Sequence, residues 1–117
     1  MKSINLFNFA TGGIYCIRCL KNNKTYIGEA SSLLERASRH FSLLKNGYHE
    51  CLSLQKDFCF YGPACFKFEI LYVENTMKKR RSLEQKVIKN QSVDQCYNKV
   101  PKGFQKKITS IGTTNFY

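Results

Sequence analysis

The sequence contains little proline, no long apolar run and few acidic residues. Two prolines and seven glycines among 117 residues leave no linker rich in these residue types, and no repeat is visible. We therefore expect one domain, residues 1–117. No stretch approaches the ~20 apolar residues that a membrane span requires. Asn5 and Asn8 interrupt the only apolar patch near the N-terminus, so we expect neither a leader peptide nor a membrane anchor.

The shortage of acidic residues gives the chain a strong positive charge. Eight Asp and Glu stand against 19 Lys and Arg, for a formal net charge of +11. Such a charge attracts polyanions over long distances and releases their counterions on binding. Nucleic acid is the partner that this charge favours, with an anionic membrane surface as the alternative.

Six cysteines raise two further possibilities, a disulfide framework and a zinc site. A basic chain without a signal peptide favours a reducing intracellular compartment with free, buried thiols. Cys16 and Cys19 form a Cys-x-x-Cys pair, but a strand through residues 13–19 would point them to opposite faces of a sheet. The sequence therefore argues against zinc.

Hydrophobic periodicity and turn residues predict six elements in the order ββααβα. The first helix has Leu33, Leu34, Ala37, Phe41 and Leu44 at its inward positions. Other predicted inward positions are Leu52, Phe58 and Cys59, then Phe66, Phe68, Ile70 and Tyr72, then Met77, Leu83, Val87 and Ile88. The predicted elements are a hairpin (13–29) that turns at residues 21–24, where Asn tolerates a positive φ, a helix from the Ser32 cap to Gly47, a helix over about 50–60, a strand (65–74) and a helix from the Thr76 cap to about Asn90.

This order predicts a small α/β (α+β) sandwich. A three-stranded antiparallel or mixed sheet that begins with an N-terminal β-hairpin would be flanked by about three helices.

Several polar residues are predicted to converge on one side of the hairpin. Tyr15 and Tyr26 lie near the middle of paired strands and can share a face, and Gly28 would let a backbone or phosphate approach there. Arg36 and His40 project together because they are four residues apart on a helix.

Glu84 is an unusual acid, since it follows the basic run Lys78–Arg81 on the last predicted helix. A divalent cation is a good reason to keep a carboxylate in such a segment. Phosphodiester hydrolysis needs a base for water, a cation for the phosphate and a Lewis acid. The tyrosines, the arginine, the histidine and a glutamate that binds a metal ion could supply these three functions.

The spacing of these residues resembles the GIY-YIG nuclease family. Gly13-Ile14-Tyr15, a ten-residue gap and Tyr26-Ile27-Gly28 precede Arg36, His40, Glu84 and Asn98 in order, over roughly residues 12–100. The segments 39–41 (RHF) and 47–49 (GYH) are similar to the corresponding segments of phage and organellar intron-encoded family members. The resemblance implies the GIY-YIG fold and DNA cleavage with a single Mg²⁺ or Mn²⁺ ion.

The resemblance also implies roles for individual residues. Tyr15 matches the general base, with its pKa lowered by the site, and Tyr26 matches the tyrosine that orients the water or contacts phosphate. Arg36 matches the arginine that holds the scissile phosphate. His40 matches a histidine for proton transfer or phosphate binding. Asn98 matches an asparagine that supports the site through hydrogen bonds.

The remaining site predictions concern the metal and the DNA. Glu84 is the expected metal ligand, and His49 is similar to a second family histidine with a weaker role. The residues expected to bind DNA or phosphate are Gly28, Arg36, Arg39, His49, Lys78, Lys79, Arg80 and Arg81.

Homing endonucleases of this family carry a long DNA-recognition region after the catalytic domain. Here the basic tail 99–117 alone follows Asn98, so we expect that region to be missing or reduced. A compact homing enzyme, a restriction-like nuclease, a structure-selective repair nuclease and a non-catalytic binding module all stay open. The expected setting is a plastid, a mitochondrion or a phage-infected cell. The sequence does not determine the oligomeric state, which is taken as monomeric by default.

Overall fold

A computed structural model describes residues 11–99, so the predicted basic tail beyond Lys99 lies outside the described residues. Its elements follow the predicted order ββααβα. They are β1 (Gly13–Cys19), β2 (Thr25–Ala30), α1 (Leu33–Asn46), α2 (Leu52–Tyr61), β3 (Phe66–Val73) and α3 (Met77–Lys89), with 3₁₀ turns at Pro63–Cys65 and Val93–Gln95. No helix among these residues combines the length and apolarity that a membrane-spanning helix requires.

The sheet is antiparallel throughout, with the strand order β2-β1-β3. Asn23 has a positive φ of 62° in the turn between β1 and β2, as the turn residues predict. In this hairpin Tyr15 pairs with Gly28 and Ile17 pairs with Tyr26. Both tyrosines therefore lie on one face of the sheet.

Local signals also fix both ends of α1. The Ser32 hydroxyl accepts a hydrogen bond from the Glu35 N–H at 3.3 Å, as expected of a capping residue. Gly47 ends the helix in the left-handed conformation, with φ at 82°. These ends place Arg36 and His40 on the first two turns of α1, beside the hairpin.

The two faces of the sheet pack against separate apolar clusters. Tyr15, Ile17 and Cys19 belong to the cluster under α1 and α2, whereas Ile14 and Cys16 belong to the cluster under α3. The predicted separation of Cys16 from Cys19 is confirmed, and all six cysteines are free thiols.

Four of the predicted inward positions are wrong. Leu34, Cys59 and Met77 are exposed, since the buried stripes of their helices use Leu33, Leu54 and Arg80 instead. Tyr72 is half exposed because a β-bulge shifts the register. Tyr15 pairs with Ile70 but Ile14 pairs with Tyr72, so the strand takes one extra residue between them.

Candidate active site

A groove of about 610 Å³ opens between the hairpin and α1. Tyr15 and Tyr26 reach it from the strands, and Arg36 and His40 reach it from the helix. The structure therefore brings together four of the six residues predicted to be catalytic. The other lining residues are Ser31, Ser32, Glu35, Arg39, Leu43 and Glu50.

Gly28 provides the space that the Tyr15 ring occupies. A Cβ atom at Gly28 would lie 2.2 Å from the Tyr15 hydroxyl oxygen and 2.4 Å from the ring carbon that carries it. The close approach predicted at this glycine is therefore made by a side chain of the protein. This contact revises the phosphate-binding role predicted for Gly28, because the ring covers its Cα.

A chain of three buried side chains leads from the groove into the protein. The Tyr15 hydroxyl lies 2.5 Å from His40 Nε2, and His40 Nδ1 lies 2.8 Å from His49 Nε2. Tyr26 packs edge-on against both imidazole rings, with ring centroids 5.4 Å apart in each case. His49 is thus a buried neighbour of His40 and does not line the groove, so a direct phosphate contact is not its role here.

Burial raises the pKa of Tyr15 to about 12, although hydrogen bonding and positive charge from Arg36 oppose this rise. The expectation that the site lowers this pKa is therefore wrong for the protein without substrate or metal. Desolvation disfavours the phenolate more strongly than Arg36 stabilises it. Tyr15 is consequently a neutral phenol at pH 7 in the free protein.

The two histidines are also neutral. Burial lowers the pKa of His40 to about 3, and the neighbouring His49, Arg36 and Arg39 lower it further in the same direction. Burial likewise lowers the pKa of His49. The positive charge of the groove therefore comes from its arginines and not from its histidines.

Glu84 approaches this group from α3. Burial raises its pKa, as does the nearby carboxylate of Glu29, while Arg81 and Arg36 oppose the rise. Its charge in turn contributes to the raised pKa of both Tyr15 and Tyr26. A carboxylate whose charge is disfavoured by burial and by a second nearby carboxylate suits a bound cation.

The donor set available for such a cation is small. Among residues 11–99, no group of three or more His, Cys, Asp and Glu side chains is placed to hold a metal ion. Mg²⁺ commonly binds through one or two carboxylates and keeps several water ligands. Glu84 fits that type of site.

Arg80 differs from its basic neighbours because it is buried. Its Nε atom lies 2.8 Å from Glu29 Oε1, and its Nη1 atom donates to the Asn75 carbonyl oxygen at 2.8 Å. Its side chain is only 6% exposed. The DNA contact predicted for Arg80 is revised accordingly, since its guanidinium is used to dock α3 on β2.

Four other predicted DNA-binding cations are exposed. Arg39 lines the groove, and Lys78, Lys79 and Arg81 lie on the solvent side of α3. Their contact with DNA stays a prediction.

Asn98 completes the outer edge of β2. Its Oδ1 accepts from the Ile27 N–H at 2.7 Å, and its Nδ2 donates to the Ile27 carbonyl at 2.9 Å. The side chain thus replaces a neighbouring strand between Tyr26 and Gly28. This geometry agrees with the supporting role predicted for Asn98.

Sequence reasoning missed two residues that shape the site. Glu29 pairs with Arg80, and its main-chain oxygen accepts from Arg36 Nη1 at 3.2 Å. Gln55 Oε1 accepts from the His49 N–H at 2.9 Å, and Gln55 Nε2 donates to the Leu44 carbonyl at 3.0 Å. The only sequence signal for Glu29 was its position as an acid directly after Gly28. No sequence signal pointed to Gln55.

Comparison with known proteins agrees with this geometry. The pattern of the GIY-YIG catalytic domain matches residues 11–98. The intron-associated endonuclease 1 of Enterobacteria phage T4 is 42% identical over 50 residues, which are 43% of this chain and 20% of that protein. The chain thus matches about a fifth of the length of this relative.

Two solved structures have a similar fold. The catalytic domain of the homing endonuclease I-TevI superimposes with a TM-score of 0.63 and 32% identity, over 68% of this chain and 86% of that one. A mutant form of the same catalytic domain superimposes with a TM-score of 0.61 and 33% identity, over 67% of this chain and 80% of that one. The predicted fold class is confirmed. The chain belongs to the GIY-YIG nuclease family, and residues 11–98 are its GIY-YIG catalytic domain.

Proposed function

We propose that this protein is a metal-dependent DNA endonuclease of the homing-endonuclease type. The observation that carries the proposal is the groove in which Tyr15, Tyr26, Arg36 and His40 meet, with Glu84 close by. Family membership supports the reaction class, since GIY-YIG nucleases generally depend on a divalent metal. The finer assignments below are inferences from the geometry.

The proposed reaction is attack of a water molecule on the scissile phosphorus atom. As the new P–O bond forms, the bond to the 3′ oxygen breaks and leaves a 5′-phosphate. The phenolate form of Tyr15 takes the proton of the water, and a solvent proton ends on the 3′ oxygen to give a 3′-hydroxyl. Arg36 holds the non-bridging phosphate oxygens with its planar, two-pronged donor set.

Glu84 is the proposed ligand for one Mg²⁺ or Mn²⁺ ion. A divalent cation supplies Lewis-acid stabilisation of the charge that develops on the phosphate and the leaving oxygen. A cation bound by Glu84 would offset the burial and the nearby Glu29 charge, which both raise the pKa of Glu84.

The proposed partner is DNA, which the charge of +11 favours. Arg39 at the groove and Lys78, Lys79 and Arg81 on α3 are the proposed phosphate contacts. The setting proposed from the free thiols and the intron-type relatives is a reducing compartment of an organelle or a phage-infected cell.

A plasmid-nicking assay with Mg²⁺ or Mn²⁺ tests the nuclease proposal. We expect wild type to convert supercoiled DNA to the nicked form and Glu84→Gln to lose at least about 100-fold in rate, because one ligand of the cation is removed. Asp94→Asn is the matched control, since it changes the same charge at an exposed position outside the groove. Equal rates for wild type and Glu84→Gln would refute the metal-ligand role.

A second substitution tests the role of Tyr15. Tyr15→Phe keeps the ring over Gly28 but removes the oxygen that takes the proton. We expect cleavage to be lost while DNA affinity in a gel-shift assay is unchanged. Equal cleavage rates would refute the general-base assignment.

The rival function is a nucleic-acid-binding module without turnover. The exposed cations favour binding equally in both cases, so affinity does not separate the two. If wild type binds linear, nicked and branched DNA but cuts none of them with either metal, the binding module is the correct interpretation.

A further inference from the structure

The hydrogen bonds of the two histidines have a direction that a main-chain amide determines. The N–H of Cys51 donates to His49 Nδ1 at 3.0 Å. A main-chain amide cannot act as an acceptor, so His49 Nδ1 carries no proton. The single proton of the neutral His49 ring is therefore on Nε2.

This placement decides the tautomer of His40 as well. His49 Nε2 faces His40 Nδ1 at 2.8 Å, so the proton on His49 makes His40 Nδ1 the acceptor. The proton of the neutral His40 ring is then on Nε2, which lies 2.5 Å from the Tyr15 hydroxyl oxygen. If the hydrogen bonds between the two histidines ran in the opposite direction, His49 Nδ1 would carry a proton. That proton would face the Cys51 N–H, with the two nitrogen atoms only 3.0 Å apart.

We propose that the Cys51 amide, His49 and His40 form a relay, a chain of hydrogen bonds with one fixed direction. This relay makes His40 a hydrogen-bond donor to the Tyr15 oxygen. His49 is a positioning residue in this relay, since it acts on Tyr15 through His40. The effect of the relay on cleavage depends on the nuclease function proposed above, whereas the direction of its hydrogen bonds does not.

The relay has a chemical consequence for Tyr15. His40 Nε2 already carries a proton and cannot accept the one from Tyr15. The hydroxyl proton of Tyr15 must therefore point into the groove, where solvent or substrate can remove it. The phenolate that results is stabilised by His40 and by Arg36, whose hydrogen bond favours the charged form.

The surrounding structure keeps the relay in place. Gln55 ties the main chain of His49 to the last turn of α1 through its bonds to the His49 N–H and the Leu44 carbonyl. The Tyr26 ring stands against both imidazoles and limits their rotation. His40 and His49 are 6% and 1% exposed, so water does not compete for their nitrogen atoms.

Nitrogen NMR of the free protein tests the direction. His40 and His49 are the only histidines in the chain, so a long-range ¹H–¹⁵N spectrum near pH 7 contains two imidazole patterns. We expect both rings to be protonated at Nε2. A His40 ring protonated at Nδ1, or a ring averaged between both tautomers, would overturn the proposal.

Two variants at one position test the role of the main-chain amide. Cys51→Pro removes the N–H, and the φ of −85° at this helix cap is close to what proline adopts. Cys51→Ala is the matched control because it loses the same thiol but keeps the amide. We expect Cys51→Ala to retain the wild-type tautomers, and Cys51→Pro to show mixed His49 tautomers with kcat lowered about 10-fold and KM unchanged. Identical spectra and rates for the two variants would contradict the relay.

A second pair of variants keeps the test decisive if Cys51→Pro does not fold. His49→Gln offers an amide N–H near the position of Nε2, whereas His49→Leu offers none. We expect His49→Leu to lose about 100-fold in kcat and the fixed His40 tautomer, and His49→Gln to recover both in large part. Equal behaviour of the two would show that His49 only fills space.

The spectra and the rates separate this proposal from the nuclease proposal. A protein with both rings protonated at Nε2 that cuts no DNA would refute the nuclease function and retain the relay. A protein that cuts DNA with His40 protonated at Nδ1 would refute the relay and retain the nuclease function.

Discussion

Two polar clusters lie on opposite faces of the sheet, and different interactions offset the desolvation of their polar groups. The histidine cluster under α1 (Tyr15, His40 and His49) is neutral and ends on a main-chain amide. The ion-pair cluster under α3 (Glu29 and Arg80) is charged, and two main-chain carbonyl oxygens accept hydrogen bonds from Arg80 Nη1.

The difference explains which residues can do chemistry. Neutral hydrogen-bonded groups are inexpensive to bury and keep fixed proton positions, which suits the control of one phenol oxygen. A buried ion pair is costly to break, because each partner would be left as an uncompensated charge. The ion-pair cluster therefore suits the fixed docking of α3, the helix that presents Glu84.

The largest effect in this comparison is expected from breaking the ion-pair cluster. Arg80→Met removes the buried partner of Glu29 and should lower the free energy of unfolding by about 3 kcal/mol, measured by urea titration. Arg81→Met is the matched control, since Arg81 is 67% exposed and lies 3.9 Å from Glu29. We expect it to change stability by less than about 0.5 kcal/mol. Similar losses for both variants would show that the burial of Arg80 does not matter.

A smaller loss of stability is expected at the edge of the histidine cluster. Gly28→Ala places a Cβ atom 2.2 Å from the Tyr15 oxygen, so the ring must move away from His40. We expect a loss of about 2 kcal/mol from overpacking and a nicking rate lowered at least about 10-fold by the displaced phenol. Wild-type nicking by this variant would mean that the Tyr15 position has no catalytic importance.

The smallest effect is expected from mild acidification, and it distinguishes the neutral cluster from the charged one. The pKa of His40 falls from 6.5 to about 3 on burial. Between these two values the unfolded chain binds a proton that the folded protein does not, so stability falls as the pH falls through this range. Urea titrations from pH 7 to pH 5.5 measure the slope, and one pH unit below 6.5 corresponds to a loss of about 1.4 kcal/mol.

The double variant His40→Gln, His49→Gln removes both titrating rings and serves as the comparison for this slope. We expect its stability to fall less steeply than that of wild type below pH 6.5. Parallel curves would show that other groups, and not the histidines, cause the acid dependence.

Sequence reasoning was most successful where the signal is local. The Ser32 cap, the left-handed Gly47 and the turn at Asn23 all appear as predicted. These features depend on φ preferences and on hydrogen bonds between residues a few positions apart. The alternation of β1 likewise decided that Cys16 and Cys19 face away from each other.

It was less successful where distant segments meet. Tyr72 is displaced by a β-bulge that becomes visible only once β3 pairs with β1. The basic run Lys78–Arg81 looks uniform in sequence, yet only Arg80 is buried, and it binds Glu29, which is 51 residues away. The pKa of Tyr15 rises because of burial among residues from three elements, and no spacing rule describes that burial.

The sequence by itself determined the order of elements, the family and four of the residues that meet in the groove, Tyr15, Tyr26, Arg36 and His40. It could do so because periodicity, caps and motif spacing are properties of neighbouring residues. Only the tertiary structure decided that Gly28 makes room for Tyr15, that Arg80 holds α3 in place and that a Cys51 amide directs the hydrogen bonds of two histidines. Those outcomes depend on which atoms are brought within about 3 Å of one another, and packing across the whole domain sets that distance.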